Sequence, residues 1–234
     1  MAEAPEKNLA LDIVRITEAA ALASARWLGR GDKEAGDGAA VDAMRVSFAT
    51  LSIDGLVIIG EGEKDNAPML FNGEKVGKGS GPSLDVAVDP VEGTNLLAYG
   101  RPNAISVVGA CPAGTMYNPG PSFYMEKLVV PPAARKVVDI DAPVEENLRH
   151  IAKALGKDVD DLVVFVLDKP RHEKLIRSIR EAGARIQLHS DGDVAGALMV
   201  IDPRANVDVM MGIGGTPEGV LAACAIKGLG GQMF

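Results

Sequence analysis

From Asp141 onward, short apolar runs alternate with amphipathic stretches, and that alternation limits the chain to few folds. Asp141-Ala142-Pro143 opens a predicted helix that reaches about Leu155 and stops at Gly156. Leu162–Leu167 reads as a strand, Pro170–Ala182 as a helix closed by Gly183, and Ile186–Leu188 as a short strand. Asp193–Val200 reads as a helix, Val207–Met211 as a strand, and Pro217–Lys227 as a final helix closed by Gly228. Strand alternating with helix argues βαβ units and a largely parallel sheet, since parallel neighbours need a crossover long enough to hold a helix.

The first half reads differently. Leu9, Ile13, Ile16, Ala20, Ala23 and Trp27 recur at three- and four-residue steps, which predicts a helix from Asn8 to Leu28. A Gly-rich, charged loop, Gly29–Gly38, precedes a second helix from about Ala39 to Leu51. Leu56–Ile59, Leu84–Val88 and Ala104–Ala110 read as strands, with a polar excursion, Asn72–Pro82, read as a hairpin. The expected organisation is an α+β half over 1–138 and an α/β half over 139–234.

The chain of 234 residues carries 32 acids against 24 bases, a net charge of −8, which makes nucleic acid and anionic membrane poor partners. Met1–Lys7 lacks a basic-then-apolar signal pattern, and no apolar run reaches membrane-spanning length. Cys111 and Cys224 lie far apart and match no zinc or redox spacing. The expectation is a cytoplasmic protein. The glycines around Gly212 and Gly214 do not continue into a dinucleotide-binding pattern.

Acids stand where the apolar runs end. Asp89-Pro90-Val91-Glu92-Gly93-Thr94 follows Leu84–Val88, and its Pro and Gly predict a stiff turn that lets a ligand approach the backbone. Glu61 and Glu63 follow Leu56–Ile59, Asp191 and Asp193 flank Gly192, Glu218 opens the last helix, and Asp37 ends the first loop. Ligands in open α/β sheets gather outside the carboxyl ends of strands, so these acids can converge. Such a cluster repels itself unless protons or cations neutralise it. An all-oxygen donor set selects Mg²⁺ or Mn²⁺ over zinc. Each acid also has a plain reading: Asp37 as a helix cap, Glu61 and Glu63 as solvated loop residues, Glu218 against a helix dipole, and Asp191 and Asp193 as turn formers.

Other segments suit phosphate. Gly215-Thr216-Pro217-Glu218-Gly219 reads as a helix start, whose free N–H groups favour anions. Lys169-Pro170-Arg171-His172 places two cations after a strand, where they would hold a phosphate or simply be solvated. Tyr124 offers a hydroxyl to substrate, or packs with its tip exposed. His150 and His189 read as structural or surface residues.

Together these segments resemble class II fructose-1,6-bisphosphatase, the bacterial type within the lithium-sensitive phosphatase superfamily. The likeness rests on the Asp89 turn, Gly29-Arg30-Gly31-Asp32-Lys33, Asp37–Arg45, Gly60–Asp65, Tyr124–Lys127, Lys169–His172, Asp191–Asp193 and Gly214–Gly219, and runs from near residue 8 to the end. It implies a layered α-β-α-β-α sandwich of the sugar/inositol phosphatase type. It also implies hydrolysis of the 1-phosphate of fructose 1,6-bisphosphate, in gluconeogenesis or the reductive pentose phosphate cycle. Some relatives also accept sedoheptulose 1,7-bisphosphate.

The resemblance assigns metal ligation to Asp37, Glu61, Asp89, Glu92 and Glu218, with Mn²⁺ or Mg²⁺ as cofactor. It assigns substrate contacts to Glu92, Gly93, Thr94, Tyr124, Lys169, Pro170, Arg171, Asp191, Gly192, Asp193 and Gly215. Thr94, oriented by Asp65, is expected to position and deprotonate the attacking water, with Lys33 stabilising phosphate charge. A homo-oligomer, dimer or tetramer, is implied. Family members continue past Gly230-Gly231-Gln232-Met233-Phe234, so the C-terminal part is expected to be truncated here, lacking secondary structure of the second half. The rival readings are an inositol-monophosphatase-like phosphatase and an inactive protein that binds sugar phosphate or metal.

Overall fold

The computed structural model describes residues 8–62 and 69–234. They form two compact units, Met1–Asn118 and Pro119–Phe234. Among the described residues there are two mixed sheets and seven α-helices, the composition of an α/β sandwich. No described helix is long and apolar enough to cross a membrane.

In the first unit, α1 (Leu9–Ser24) is capped by Asn8, whose side chain accepts from the Leu11 N–H, and runs into a 3₁₀ turn at Ala25–Trp27. The second helix, α2 (Lys33–Phe48), starts six residues before the predicted Ala39. Asp32 sets that start, because its carboxylate accepts from the Ala35 N–H at 3.0 Å. Gly36 and Gly38, expected to mark a loop, lie inside the helix. Gly36 is there for space: a Cβ would come within 2.7 Å of Leu97 Cδ2.

Behind these helices stand β1 (Asp54–Ile59), β2 (Lys75–Val76), β3 (Ser83–Glu92) and β4 (Ile105–Pro112), in the order β2-β1-β3-β4. Only β1 and β3 are parallel; β2 and β4 run antiparallel to their neighbours. The excursion Asn72–Pro82 is therefore no hairpin, since its strand pairs with β1. Ile16, Ala20, Ala40, Met44 and Phe48 from the helices pack on Val57, Val86 and Val88. The short α3 (Thr94–Ala98) follows β3 directly.

The second unit is built from β5 (Tyr124–Val130), α4 (Val144–Leu155), β6 (Val163–Leu167), α5 (Glu173–Glu181), β7 (Arg185–His189), α6 (Asp193–Ile201), β8 (Val209–Gly215), α7 (Thr216–Gly228) and β9 (Gln232–Met233). Its sheet order is β7-β6-β8-β5-β9. The expected parallel character holds for β7, β6 and β8, while β5 and β9 are antiparallel additions. Sequence patterning missed β5, because Glu126 and Lys127 interrupt its apolar run. Its pairing with β8 carries residues 119–138 into the second unit, ahead of the boundary expected at 138/139. The core joins Leu148, Ile151 and Ala152 of α4 to Leu128, Val164, Val166 and Val209 of the sheet.

Candidate active site

In the first unit the candidate acids leave α2, β1 and β3. Asp37 is not a cap but sits in the second turn of α2, half-buried. Burial raises its pKa, and the charge of Glu34 adds to the rise. Glu61 follows β1, where the backbone is tied down by Glu61 N–H donating to Leu70 O at 2.9 Å and Gly60 N–H donating to Asn72 Oδ1 at 2.8 Å. Its carboxyl is pushed up to about 7, chiefly by burial and further by the charge of Asp37. The structure thus brings Asp37 and Glu61, 24 residues apart in sequence, within each other's field.

Asp89 and Glu92 lie within β3 and not, as expected, on a turn beyond it. The ladder with β4 slips between them: Asp89 faces Val107 and Glu92 faces Ile105. This bulge re-aims the strand end as bulges do. Glu92 is only 5% exposed. Gly93 then takes a left-handed conformation (φ +83°) as N-cap of α3, and Thr94 is the first helical residue. A side chain at Gly93 would also meet Leu96 Cδ1 at 2.9 Å.

Lys33 stands exposed at the start of α2, with Nζ 3.6 Å from Glu34. Asp65 and Glu63 lie outside the described residues.

No three of Asp37, Glu61, Asp89 and Glu92 bring carboxylate oxygens all within 4.8 Å of one another. Among the described residues only Asp158, Asp160 and Asp161 do so, exposed on a surface turn. Close convergence of three is not required by Mg²⁺, which is usually held by one or two carboxylates together with water and phosphate oxygens. The half-buried Asp37–Glu61 pair, all-oxygen and mutually repelling, fits such an ion.

The second unit gathers the other candidates around the carboxyl ends of β6, β7 and β8. Lys169 Nζ contacts Asp191 Oδ1 at 3.0 Å. Arg171 lies over the Tyr124 ring, Cζ 5.5 Å from its centroid, while its Nε donates to Ile213 O at 2.9 Å. Tyr124 faces Gly215 across the β5–β8 ladder. Gly215 also borders Glu218, for a Cβ there would lie 2.0 Å from Glu218 Oε2. That oxygen is buried and has no hydrogen-bond partner among the described residues. Thr216 fixes the start of α7 through its N–H to Phe123 O at 3.1 Å and its hydroxyl 3.2 Å from Ser122 Oγ.

Asp193 occupies a different setting from Asp191. It is 6% exposed, and its Oδ2 meets Lys127 Nζ at 2.6 Å. Gly192, left-handed at φ +96°, turns the chain so that Asp193 starts α6. Sequence reasoning did not single out Lys127, and only its place within an otherwise apolar stretch signals it. His172 was likewise quoted without a role of its own, yet it is 1% exposed and bonded through both ring nitrogens.

The family described as bacterial fructose-1,6-bisphosphatase, glpX-encoded, matches residues 7–234. Fructose-1,6-bisphosphatase 1 class 2 of Escherichia coli (strain K12) is 48% identical over 227 residues, covering 97% of this chain and 67% of that protein. Fructose-1,6-bisphosphatase class 2 of Shigella flexneri is similar to the same extent, 48% over 227 residues. A match over nearly the whole chain, together with acids on one unit's strand ends and a Lys-Pro-Arg-His corner on the other, shows that the chain belongs to the bacterial, glpX-encoded fructose-1,6-bisphosphatase family.

Proposed function

We propose that the chain hydrolyses the 1-phosphate of fructose 1,6-bisphosphate to give fructose 6-phosphate. The observation that carries this reading, beside the family match, is the Asp37–Glu61 pair, where burial and mutual repulsion hold a carboxyl near pH 7 that a cation would relieve. Mg²⁺ or Mn²⁺ would be held by Asp37, Glu61, Asp89 and Glu92 of the first unit, and metal ligation is assigned to Glu218 on the strength of the family resemblance alone. When bound, such an ion supplies charge neutralisation at the phosphate and lowers the pKa of water.

The chain's own groups do the remainder. Thr94, fixed by the left-handed Gly93 before it, presents a hydroxyl to the attacking water. The role of orienting that hydroxyl is assigned to Asp65, outside the described residues, on the family resemblance alone. Lys33 is free enough to swing toward phosphate charge, since Glu34 holds it only at 3.6 Å. Lys169 and Arg171 bind the 6-phosphate, so binding energy remote from the reaction orients the reacting end. Tyr124 carries the face against which Arg171 rests. Asp191 and Gly192 border the sugar, while Asp193 anchors that turn through Lys127. A homo-oligomer, dimer or tetramer, and a cytoplasmic setting belong to the same proposal.

Release of inorganic phosphate from fructose 1,6-bisphosphate, measured with Mn²⁺ or Mg²⁺ and again with EDTA, tests the reading. Metal-dependent release from the bisphosphate, absent with fructose 6-phosphate, is the expected result. A folded sample that binds Mn²⁺ and releases nothing would overturn it.

A further inference from the structure

We infer that His172 is a positioning residue that holds β6 and β8 apart at their carboxyl ends and so sets Arg171 in place for the substrate's remote phosphate; this rests on the activity proposed above. The two parallel strands pair only at Val164 with Val209 and Phe165 with Met210. At the same offset Leu167 would face Gly212, yet the ladder has stopped. The imidazole of His172 stands there instead. Its Nδ1 lies 2.7 Å from Leu167 O, and its Nε2 lies 2.7 Å from the Ile213 N–H. A carbonyl only accepts and an amide N–H only donates, so Nδ1 carries the proton and Nε2 accepts.

Two bonds and a ring thus occupy the space that one bond of about 2.9 Å would close in a regular ladder. Gly212 makes room for that ring. Its φ is +150°, and a Cβ would lie 3.0 Å from His172 Nε2. The ring is buried, so the bridge is not shared with solvent.

The opening has a consequence for Arg171. The backbone of Ile213 is gripped by consecutive residues: its N–H by His172 and its C=O by Arg171 Nε at 2.9 Å. His172 N–H also donates to Lys169 O at 2.8 Å, closing the Lys169-Pro170-Arg171 corner. With the imidazole removed, Ile213 loses its partner, the strands are free to close, and the guanidinium loses its fixed point over Tyr124. Lys169, tied to Asp191, stays where it is.

His172→Leu, which removes both bonds, and His172→Gln, which keeps a donor and an acceptor, test this against Arg171→Ala. With fructose 1,6-bisphosphate, His172→Leu is expected to raise KM by about tenfold or more while kcat falls by no more than about threefold, matching Arg171→Ala. His172→Gln should recover most of the KM loss. The double variant Arg171→Ala/His172→Leu should be no worse than the worse single one, since both changes remove one arrangement.

A fall in kcat with KM unchanged, or KM losses that multiply in the double variant, would overturn the inference. A second readout is independent of turnover. Amide hydrogen exchange at Ile213 should be about a hundredfold faster in His172→Leu, with exchange at Val209 unchanged. Equal protection of Ile213 in parent and variant would overturn the wedge even in an active enzyme. A parent chain that releases no phosphate would end the activity reading alone, because exchange at Ile213 still decides the role of His172.

Discussion

Replacing Lys127 with Met should destabilise the second unit more than any surface change, because it leaves a carboxylate stranded. Lys127 and Asp193 have side chains 1% and 6% exposed and meet at 2.6 Å. The backbone of β8 closes over them, as a Cβ at Gly214 would fall 1.9 Å from Asp193 Oδ2 and 3.0 Å from Lys127 Nζ. Water therefore has no room to replace the ammonium. Removing one partner of a buried pair costs roughly 3–5 kcal/mol, since the remaining charge stays desolvated. For a chain of this length about 2–4 °C accompanies each kcal/mol, so a fall in Tm of roughly 6–20 °C follows.

Denaturant unfolding followed by circular dichroism measures the difference in free energy directly. The double variant Lys127→Met/Asp193→Asn removes both charges, and should recover most of the loss, to within about 2 kcal/mol of the parent. A single Lys127→Met variant within about 1 kcal/mol of the parent would refute the reasoning. So would a double variant that loses as much as the two single ones summed.

The acids of the first unit give a pH prediction with the opposite sign from the usual carboxylate. Glu61 titrates near 7 folded against 4.5 unfolded, so between those values the folded state binds more protons and metal-free stability falls as pH rises. The loss approaches roughly 3–4 kcal/mol well above pH 7, and calorimetry in EDTA should show it; Mn²⁺ should reverse it and release a proton on binding. Asp89→Asn should lower kcat by about a hundredfold or more while the far-ultraviolet circular dichroism keeps its parent form, and near-normal turnover at saturating Mn²⁺ would remove Asp89 from the metal site. Gly93→Ala, which puts a Cβ at φ +83° against Leu96, should cost roughly 1–3 kcal/mol in denaturant unfolding, and an unchanged midpoint would show that the backbone there relaxes freely.

Periodicity located most elements because most bury one face. Helix α4 and strand β6 follow their apolar patterns to within a residue or two, and Gly156 stops α4 in the left-handed conformation expected of a C′ glycine. The failures have local causes. The cap at Asp32 outweighed two helix-interior glycines, and β5 hid behind a lysine whose charge is cancelled by a residue 66 positions away. The bulge between Asp89 and Glu92 was illegible for a related reason, since a slip in register depends on the partner strand. Among site residues, the cations of Lys169-Pro170-Arg171 stood out from the sequence. The groups that hold them did not, because nothing in a single chain says that His172 will reach Ile213.

These failures share a direction: the sequence shows which groups can do chemistry, and the fold shows which of them are already engaged. In the second unit the polar side chains at the strand ends come largely paired, Lys169 with Asp191, Lys127 with Asp193, and Arg171 with the Ile213 carbonyl. In the first unit burial raises both Asp37 and Glu61, with Glu34 adding to the rise of Asp37 and Asp37 to that of Glu61, and no described cation is among the causes of either shift. The second unit can therefore hold its arrangement without a ligand, whereas the first gains stability from whatever neutralises Asp37 and Glu61. Metal should then act on the first unit as a folding ligand as well as a reagent. Trp27, the single tryptophan, lies in that unit, so its fluorescence should report an unfolding midpoint that rises with Mn²⁺ concentration. A midpoint indifferent to Mn²⁺ up to concentrations that saturate turnover would mean that the acids are neutralised by protons alone.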